Sequence, residues 1–507
     1  MTAAAGFLDL FADRARRCGG RIFARFDGAP VTFADLDRRS AALAAALARR
    51  GLRAGDRVAV MLRNSPACVV VLLALARAGL VWVPVNVQQR GAGLRYVLEH
   101  ARPALAVAEA DLVATLADAG GLPEGAPILR HGDPGAGPSL EALVDSGEAF
   151  AAPPPAPDAV LAISYTSGTT GPPKGVPVTH AMLRFAAEAV LLTADPRPGD
   201  VMFMWEPLHH IGGAQMIVVP LLRDVELAMV PRFSASRFWA DVVATRATHI
   251  HYLGGILQIL LKQPPGPFDR AHRVRVAWGA GCLGETWTTF PERFGVAIRE
   301  CYGMTEASSI TTCNTAGIPG AVGTPVPWLD VAIERDGRPV PAGERGEIVV
   351  AAVQPGALFA GYVDAPDATA RALRGGRLHT GDLGSLDASG NLVFHGRMSD
   401  GIRCKGENVS AWEVEHVVAG HPAVESCAVI GVPAETGESD IKLFVKAKAG
   451  VTLDLCALST WIGVRVALYQ RPRYIAVVAD FERTASERIM KHRLPSGTGD
   501  CWDRLAR

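Results

Sequence analysis

The sequence has no excess of charge of either sign, because its 51 lysines and arginines balance its 51 aspartates and glutamates. This balance disfavours nucleic acid or an anionic membrane as the main partner, since both select clustered positive charge. A bilayer span needs roughly 20 consecutive apolar residues, and the most apolar stretch, from Cys68 to Val85, is interrupted by Arg77. The first residues also lack the apolar core of a secretory signal. We therefore expect a soluble, cytoplasmic protein without a membrane or nucleic-acid partner.

The Cys-x-x-Cys pattern is also absent, and the nine cysteines are scattered through the chain. An odd number at irregular spacing indicates neither a disulfide framework nor a zinc site, so we expect reduced thiols. The 507 residues are 49% apolar and 20% charged, which excludes a disordered chain and allows a large buried core. The 53 glycines and 35 prolines favour many shaped loops over a helical bundle.

Helical and strand patterns alternate along the first 300 residues. A predicted strand at 57–62, a helix at 66–78 and a strand at 81–85 form a βαβ unit, which implies a parallel sheet. The same alternation continues in the second half of this region, for example in the strands predicted at 249–253 and 274–278. These patterns predict an α/β fold with a large body of parallel sheets.

The pattern changes after about residue 320, where short β-like runs are joined by turns. From residue 398 onward a compact α+β pattern follows, including a helix predicted at 452–466. We therefore expect a β-rich subdomain after the parallel sheets and then a small C-terminal α+β domain.

A glycine- and hydroxyl-rich segment, Tyr165 to Gly175, follows an apolar strand. Its glycines let backbone N–H groups approach phosphate oxygens, its hydroxyls donate further hydrogen bonds, and its lysine adds a cation. It is not a Walker motif, because Gly-x-x-x-x-Gly-Lys-Ser/Thr is absent. The alternative is a surface loop of the same composition. The predicted phosphate-binding residues are Thr166, Ser167, Gly168, Thr169, Thr170, Gly171 and Lys174.

This segment resembles the phosphate loop of the AMP-forming adenylate superfamily, which includes acyl-CoA synthetases, peptide-synthetase adenylation domains and luciferases. The other motifs of that family follow in the family's order and span nearly the whole chain. They are Pro207–Gly213, Cys301–Glu306, His379–Asp382, Gly396–Arg397 and Lys405–Asn408. The resemblance implies two domains, residues 1–397 binding ATP and the acid and residues 398–507 forming a mobile lid that meets the acceptor.

The resemblance also implies roles for single residues. It places His210 near the acyl carboxylate, Tyr302 on the adenine ring and Thr305 on the α-phosphate. Glu306 is the expected ligand of Mg²⁺, together with Thr166, and one or two protein oxygen ligands suffice for this ion. His210 or Tyr302 could instead be core residues, and Glu306 could be a helix cap or a surface acid.

Further motif residues are expected to bind the nucleotide and the acceptor. Asp382 would bind the ribose hydroxyls with help from Arg397, although Asp382 could also cap the segment that follows it. Lys405, Gly406 and Glu407 match the loop after the hinge, where the thiol acceptor docks in CoA ligases.

The sequence departs from the family at three places. In Arg483–Lys491, Arg488 occupies the position of the lysine that serves adenylation, and arginine is not equivalent to lysine at a tightly measured site. Arg488 could replace that lysine, Lys491 could reach in from the next turn, or the chemistry could be retuned. Ser399 stands at the hinge in place of Asp or Lys. Cys282 closes a Gly-Ala-Gly-Cys loop, where we expect a packing residue rather than a nucleophile.

These features predict an ATP-dependent, AMP-forming ligase, similar to the carnitine-CoA-ligase-like branch, with ATP, Mg²⁺ and CoA as cofactors. It would convert a small carboxylic acid to its adenylate and then pass the acyl group to CoA. The acid pocket is expected within 205–215, 252–256, 277–282 and 305–311. These segments carry no obvious lysine or arginine, which favours a neutral or aromatic acid over a diacid. The candidate catalytic residues are Thr305, Glu306, His210, Arg488 and Lys491.

Two other hypotheses stay open at this point. In the first, a biosynthetic enzyme of secondary metabolism keeps adenylation but changes the acid or the acceptor, as in amide formation with an amine or in nitrite activation for diazotisation of an aryl amine. In the second, the chain binds nucleotide without turnover. The departures at Arg488 and Ser399 motivate the first, because they touch the two steps of an ordinary acyl-CoA ligase, and the loss of the lysine motivates the second.

Overall fold

A computed structural model describes residues 6–132, 139–145, 149–166, 173–282, 284–398, 401–404, 407–434, 439–466, 468–484 and 488–506. Its α-helices are α1 (Phe7–Cys18), α2 (Phe33–Arg49), α3 (Pro66–Arg77), α4 (Gly91–Ala101), α5 (Val113–Asp118), α6 (Leu140–Val144), α7 (His180–Ala194), α8 (Ile211–Ala214), α9 (Val219–Leu222), α10 (Phe238–Ala244), α11 (Ile256–Lys262), α12 (Thr286–Phe294), α13 (Pro366–Ala372), α14 (Ala411–Ala419) and α15 (Leu455–Gly463).

Local signals explain where the first long helices begin. The hydroxyl oxygen of Thr32 accepts a hydrogen bond from the Asp35 backbone N–H at 3.1 Å, and the Asp35 carboxylate accepts one in return, which forms a capping box before α2. Ser65 caps α3 by accepting from the N–H of Cys68 at 3.2 Å. Because α3 is apolar on all sides, it is buried almost completely, as expected for the most apolar stretch of the sequence.

The first sheet contains the predicted βαβ unit. Its strands are β3 (Arg57–Met61), β4 (Val81–Pro84), β5 (Leu105–Glu109), β6 (Ile128–His131), β7 (Val160–Thr166) and β8 (Lys174–Thr179), in the order β6-β5-β3-β4-β7-β8. All neighbours are parallel except β7 and β8, which form an antiparallel hairpin. This hairpin carries the glycine-rich segment.

The second sheet is mainly parallel as well. Its strands are β1 (Ile22–Phe26), β2 (Ala29–Thr32), β9 (Asp200–Met204), β10 (Val225–Met229), β11 (His249–Leu253), β12 (Val276–Ala280), β13 (Ala297–Tyr302), β14 (Thr312–Asn314) and β15 (Thr324–Pro325), in the order β15-β14-β13-β12-β11-β9-β10-β1-β2. The carboxyl ends of β9, β11, β12 and β13 form one edge of the sheet, where α/β proteins bind ligands.

An antiparallel sheet forms the predicted β-rich subdomain. Its strands are β16 (Leu329–Arg335), β17 (Arg338–Pro339), β18 (Gly346–Ala352), β19 (Leu373–Arg374), β20 (Arg377–Leu386) and β21 (Leu392–Arg397). The hairpin of β20 and β21 places Asp382 opposite Arg397. The motifs at His379–Asp382 and Gly396–Arg397, separated in the sequence, therefore meet in the fold.

The C-terminal residues form the small α+β domain. β22 (Gly401–Cys404) pairs with β23 (Glu407–Ser410), and the second sheet of this domain has the order β24-β25-β26-β27. The latter strands are β24 (Val424–Pro433), β25 (Ser439–Ala447), β26 (Tyr474–Val477) and β27 (Trp502–Asp503). Among the described residues, no strand after Arg397 pairs with a strand of the body.

Two further observations concern the cysteines and the lengths of the helices. All nine cysteines lie in the described ranges, and no two of them form a disulfide. Within the same ranges, the helices are too short or too polar to cross a bilayer.

Candidate active site

The predicted phosphate loop joins β7 to β8. In this hairpin Thr166 lies opposite Lys174, and Tyr165 lies opposite Gly175, so the two ends of the loop are held side by side. The Gly175 carbonyl also accepts a hydrogen bond from the Val363 N–H at 2.9 Å. The residues between the ends, Ser167, Gly168, Thr169, Thr170 and Gly171, lie outside the described residues. The structure thus fixes the base of the loop, with Lys174 on it.

Glu306 lies in a short 3-10 helix, Thr305–Ala307, directly after β13. Its side chain is buried, and its Oε1 accepts a hydrogen bond from the Tyr362 hydroxyl at 2.9 Å. The ring of the same tyrosine lies 4.9 Å from Lys174 Nζ. The described partner of the Glu306 carboxylate is therefore a neutral hydroxyl rather than a cation.

This environment fits a magnesium ion. Mg²⁺ needs only one or two protein carboxylates, because it keeps several waters and binds the substrate phosphates. Elsewhere in the described residues, no three or more His, Cys, Asp or Glu side chains gather as a possible metal site, which is the arrangement a structural zinc ion would need. Thr166, the second predicted metal contact, ends β7 opposite Lys174.

The residues expected to bind adenine and ribose form one buried cluster. The Tyr302 hydroxyl donates a hydrogen bond to Asp382 Oδ2 at 2.7 Å, and Arg397 Nε lies 3.2 Å from Asp382 Oδ1. The Tyr302 ring packs against the ring of Phe394 with a centroid distance of 5.7 Å. Burial, with Asp382 adding to it, raises the pKa of Tyr302 well above its ordinary value, so its hydroxyl stays protonated and donates. Asp382 is thus held by strand pairing, a tyrosine and an arginine.

The two histidines of the Pro207–Gly213 motif lie on a turn between β9 and α8. Asn64 fixes this turn, since its side chain donates to the Glu206 carbonyl and accepts from the Leu208 N–H, each at 2.9 Å. The rings of His209 and His210 contact each other at a centroid distance of 4.4 Å. Burial, and to a smaller degree Arg488, lowers the pKa of His210 to about 4. His210 is therefore neutral at physiological pH.

Glu206, at the start of the same turn, lies within the pocket segment predicted at 205–215, although no role was predicted for it. Its carboxylate Oε2 lies 3.1 Å from His251 Nδ1. Burial raises the pKa of Glu206 to about 8, although the positive charge of Arg488 opposes this shift, and burial lowers the pKa of His251 to about 3. Both groups therefore favour their neutral forms. The influence of Arg488 shows that Glu206 lies within electrostatic range of that guanidinium.

A second buried carboxyl group holds the loop that ends at Cys282. Glu300 Oε1 accepts hydrogen bonds from the backbone N–H groups of Gly281 and Cys282, and its Oε2 accepts from the Tyr252 hydroxyl. Gly279 is required here, because a Cβ at this position would lie 1.9 Å from the Tyr252 carbonyl oxygen. Burial raises the pKa of the Cys282 thiol, with Glu300 adding to the shift. This agrees with a packing role, since the thiol is the unreactive form.

The small domain contributes Arg488 to the cleft. The Arg488 N–H donates to Thr484 Oγ1 at 3.1 Å, and the Arg488 carbonyl accepts from the Thr484 N–H at 2.7 Å. The side chain keeps surface exposed to the cleft, yet surrounding protein atoms lower the pKa of its guanidinium, chiefly by desolvation and then through Arg397. The charges of Asp382 and Glu206 act in the opposite direction. The charge of Arg488 therefore acts on both the nucleotide cluster and the histidine turn.

Lys491, the other candidate for the missing lysine, has a partner in the small domain itself. Its Nζ lies 2.9 Å from Glu415 Oε1. The predicted acceptor loop is only partly described, because Lys405 and Gly406 lie outside the described residues and Glu407 begins β23. In the described residues Lys491 thus forms an ion pair with Glu415, whereas Arg488 influences Glu206 and His210 through its charge.

Two residues of the site, Asn64 and Tyr362, were not predicted from the sequence. They gave no local signal, because they act on residues far away in the chain, at separations of 142 and 56 positions. Glu206 lies within a predicted pocket segment, and its place as an acidic residue directly before a motif is the signal that could have singled it out.

Comparison with known proteins identifies the family. The family model described as AMP-binding enzyme matches residues 11–363, and the model of the AMP-binding enzyme C-terminal domain matches residues 413–488. A medium/long-chain-fatty-acid–CoA ligase of Mycobacterium tuberculosis is 34% identical, covering 96% of this chain and 84% of its own length. A crotonobetaine/carnitine–CoA ligase of Escherichia coli is 32% identical, covering 88% of this chain and 89% of its own.

The fold has a close counterpart among solved structures. The o-succinylbenzoate CoA synthetase of Bacillus subtilis, solved with its acyl-adenylate intermediate, has a TM-score of 0.85 at 25% identity and covers 96% of this chain and 97% of its own. The same enzyme has also been solved with ATP and a magnesium ion, with a TM-score of 0.84. These matches confirm the predicted α/β fold with its small C-terminal domain. By sequence and by fold, the chain belongs to the AMP-binding enzyme family, that is, to the AMP-forming ligases.

Proposed function

We propose that this protein joins a carboxylic acid to CoA through an acyl-adenylate. The acid and ATP give acyl-AMP and pyrophosphate, and the CoA thiol then displaces AMP from the acyl carbon with loss of its proton. The observation that carries this proposal is the position of Arg488. The charge of this guanidinium, which belongs to the small domain, interacts with those of Asp382, Arg397 and Glu206 and lowers the pKa of His210. This arrangement is suited to the adenylating step.

The first step brings two anions together, because a carboxylate attacks the α-phosphate of ATP. Its transition state is stabilised by positioned positive charge and oriented donors. Asp382, Tyr302 and Arg397 would hold the ribose and the adenine. Lys174 would lie on the outer phosphates, and Arg488 would neutralise the charge that develops at the α-phosphate.

The remaining residues would position the acid and the metal. His210 is neutral at physiological pH and would therefore hydrogen-bond the acid without competing for its proton. Thr305 would donate to the α-phosphate. A magnesium ion on Glu306, with Thr166, would neutralise phosphate charge and orient the triphosphate.

In the second step, the CoA thiol must reach the acyl-adenylate, and in this proposal it takes the place that Arg488 occupies during adenylation. Because Arg488 belongs to the small domain, residues 398–507 would rotate away from their adenylating pose as one unit, with the hinge near Ser399, which lies outside the described residues. The loop of Lys405, Gly406 and Glu407 would then meet the thiol. CoA as the acceptor is supported by the two relatives named above, both of which are CoA ligases.

The acid itself is proposed to be compact. One wall next to the histidine turn is filled by stacked rings, with the His251 ring 4.3 Å from that of Trp278 and 5.8 Å from that of Trp205. Trp278 is fully buried, and the Trp205 Nε1–H donates to the His251 carbonyl at 2.8 Å, so these rings form a fixed wall. A short or aromatic acid fits beside such a wall better than a long alkyl chain.

A second candidate keeps adenylation and changes the acid or the acceptor. The replacement of the family's lysine by Arg488 and the filled wall favour a small oxyacid such as nitrite, activated for diazotisation of an aryl amine, or an acid passed to an amine. Both alternatives need the same nucleotide site. They differ from the first proposal in the compound that consumes the adenylate.

One assay separates these candidates. Pyrophosphate release and AMP formation are measured with a panel of carboxylic acids, alone, with hydroxylamine to trap the adenylate, and with CoA. Further reactions contain nitrite with an aryl amine. CoA-dependent AMP formation with a carboxylic acid is the expected result. Turnover with nitrite and amine, but with no carboxylic acid, would reject the ligase in favour of the second candidate. Tight ATP binding without pyrophosphate release under any condition would reject both.

A further inference from the structure

Tyr362 lies between two groups of opposite charge. Its hydroxyl donates to Glu306 Oε1 at 2.9 Å, and its ring centre lies 4.9 Å from Lys174 Nζ. The two ends of one side chain thus contact the predicted metal ligand and the predicted phosphate-binding lysine.

The chain on either side of Tyr362 ties the same two elements together. The Phe359 N–H donates to the Glu306 carbonyl at 2.9 Å, and the Val363 N–H donates to the Gly175 carbonyl at the same distance. The backbone of Tyr362 is also fixed, since its N–H donates a hydrogen bond to Thr369 Oγ1 at 2.9 Å. The segment 359–363 therefore fixes the base of the phosphate loop relative to the residue expected to bind the metal.

The ring is also packed against a neighbour. The Phe359 ring meets it edge-on at a centroid distance of 4.9 Å. This contact helps to hold the Tyr362 ring in place.

We propose that Tyr362 is a positioning residue of the Mg·ATP site, with a separate task for each end of its side chain. Its hydroxyl orients the Glu306 carboxylate for the metal, and its ring keeps Lys174 from forming an ion pair with Glu306. This inference rests on the proposed use of Mg·ATP by this site. Partners of a metal ligand that fix its orientation commonly change metal affinity by about 10- to 100-fold when they are lost.

The ring matters because a direct ion pair between Lys174 and Glu306 would make both groups less available to ligands. Mg·ATP would then have to break this ion pair before it could bind, and the lost interaction energy would weaken its affinity. The ammonium of Lys174 instead lies over the face of the Tyr362 ring, in a cation–π contact that is weaker than an ion pair and leaves the ammonium free to turn toward a phosphate.

Two variants separate the two tasks. Tyr362→Phe removes the hydroxyl and keeps the ring, whereas Tyr362→Leu removes both. ATP binding is measured by calorimetry on the full-length protein, first in EDTA and then across a magnesium titration, and Mn²⁺ binding with ATP is measured by electron paramagnetic resonance. Tyr474→Phe is the matched control, because Tyr474 lies in β26 of the small domain, where its ring centre is 4.8 Å from the Arg473 guanidinium, away from this cluster.

For Tyr362→Phe we expect the half-saturating Mg²⁺ and Mn²⁺ concentrations to rise about 10-fold, with metal-free ATP affinity unchanged. For Tyr362→Leu we expect the metal-free affinity to fall as well, because Lys174 then pairs with Glu306. In a Glu306→Gln background, Tyr362→Phe should have no additional effect on metal binding.

Unchanged metal binding in Tyr362→Phe would overturn the role of the hydroxyl. Equal metal-free ATP affinities in the two variants would overturn the role of the ring, and a general loss of stability in both, seen as earlier unfolding without ligand, would mark the residue as merely structural. These measurements contain neither acid nor acceptor. They therefore succeed or fail independently of the proposed ligase activity.

Discussion

Replacement of Arg488 is the most direct test of the proposed chemistry. Arg488→Ala removes one positive charge from a desolvated cleft in which Arg397 is the other nearby cation. Removal of one preorganised donor at a developing charge typically costs about 10²- to 10³-fold in kcat, or about 3–4 kcal/mol. Because the guanidinium comes from the small domain, ATP binding to the body should change little. We therefore expect the loss in the rate of pyrophosphate release and not in ATP affinity.

Arg488→Lys restores the residue type usual in the family and refines the test. Lysine keeps the charge but loses the planar fork, and its pKa falls readily when it is desolvated. We expect an intermediate rate that declines as the pH rises, because the ammonium loses its proton. The wild-type rate should lack this decline, since a guanidinium stays charged.

The assay is pyrophosphate release with a saturating acid and no acceptor, followed across pH. Lys491→Ala is the informative comparison, because Lys491 pairs with Glu415 at 2.9 Å and should leave the rate near that of the wild type. Arg493→Ala serves as a surface control, since Arg493 forms an exposed ion pair with Glu482 and such pairs are worth about 0–1 kcal/mol. If Arg488→Ala lost less than about threefold, or about 0.7 kcal/mol, while Lys491→Ala lost more, the assignment of Arg488 would be wrong.

Three further predictions concern the groups around this cation. Burial raises the pKa of Glu206 from 4.5 to about 8 on folding, so the stability that this shift contributes is lost as the pH rises from the lower value to the higher; over that range the Tm of the wild type should fall more than that of Glu206→Gln, with Glu344→Gln as an exposed control. Tyr302→Phe leaves the buried Asp382 without its 2.7 Å donor and should cost about 1–3 kcal/mol in urea unfolding and raise the KM for ATP. Asn64→Ala should cost a similar free energy and lower kcat/KM for the acid, because the turn that carries the histidines loses both of its side-chain hydrogen bonds.

The elements that could be predicted from sequence are those whose signals are local. The strand predicted at 249–253 is found as His249–Leu253. The strand predicted at 274–278 instead spans Val276–Ala280, because pairing of His249 with Val276 sets its register. Gly279 lies in this strand although glycine has a low β-strand propensity. It is needed there because the Tyr252 backbone occupies the space that a side chain would fill. Such packing is decided by a neighbour distant in sequence.

A helix end shows the same limit on a smaller scale. The helix predicted at 452–466 is shorter, Leu455–Gly463. Asp454 begins it by accepting hydrogen bonds from the N–H groups of Cys456 and Ala457, at 2.9 and 3.0 Å. An aspartate before an apolar run is an N-cap signal that sequence can supply, so this boundary could have been predicted more closely.

In the site, the motifs predicted which residues meet, but not what holds them. Tyr302, Asp382 and Arg397 come together in the structure, and the charge of Arg488 acts on this cluster. The ion pair of Lys491 with Glu415 could not be predicted from sequence spacing, because Glu415 lies 76 positions away in the chain. Tyr362 was missed for a related reason, since its contacts are made across the fold and leave no periodic pattern in the sequence.

The arginine at position 488 becomes understandable from the way the two domains meet. Any cation at their interface loses solvent, and Lys262 shows the consequence: its Nζ donates to the Glu425 carbonyl of the small domain at 2.5 Å, and burial lowers its pKa. A lysine at position 488 would meet the same desolvation with Arg397 beside it, and both effects favour its neutral form. An arginine there keeps its charge, because a guanidinium is not deprotonated in proteins. The substitution therefore fits a site in which the cation must remain charged in a crowded cleft next to another cation.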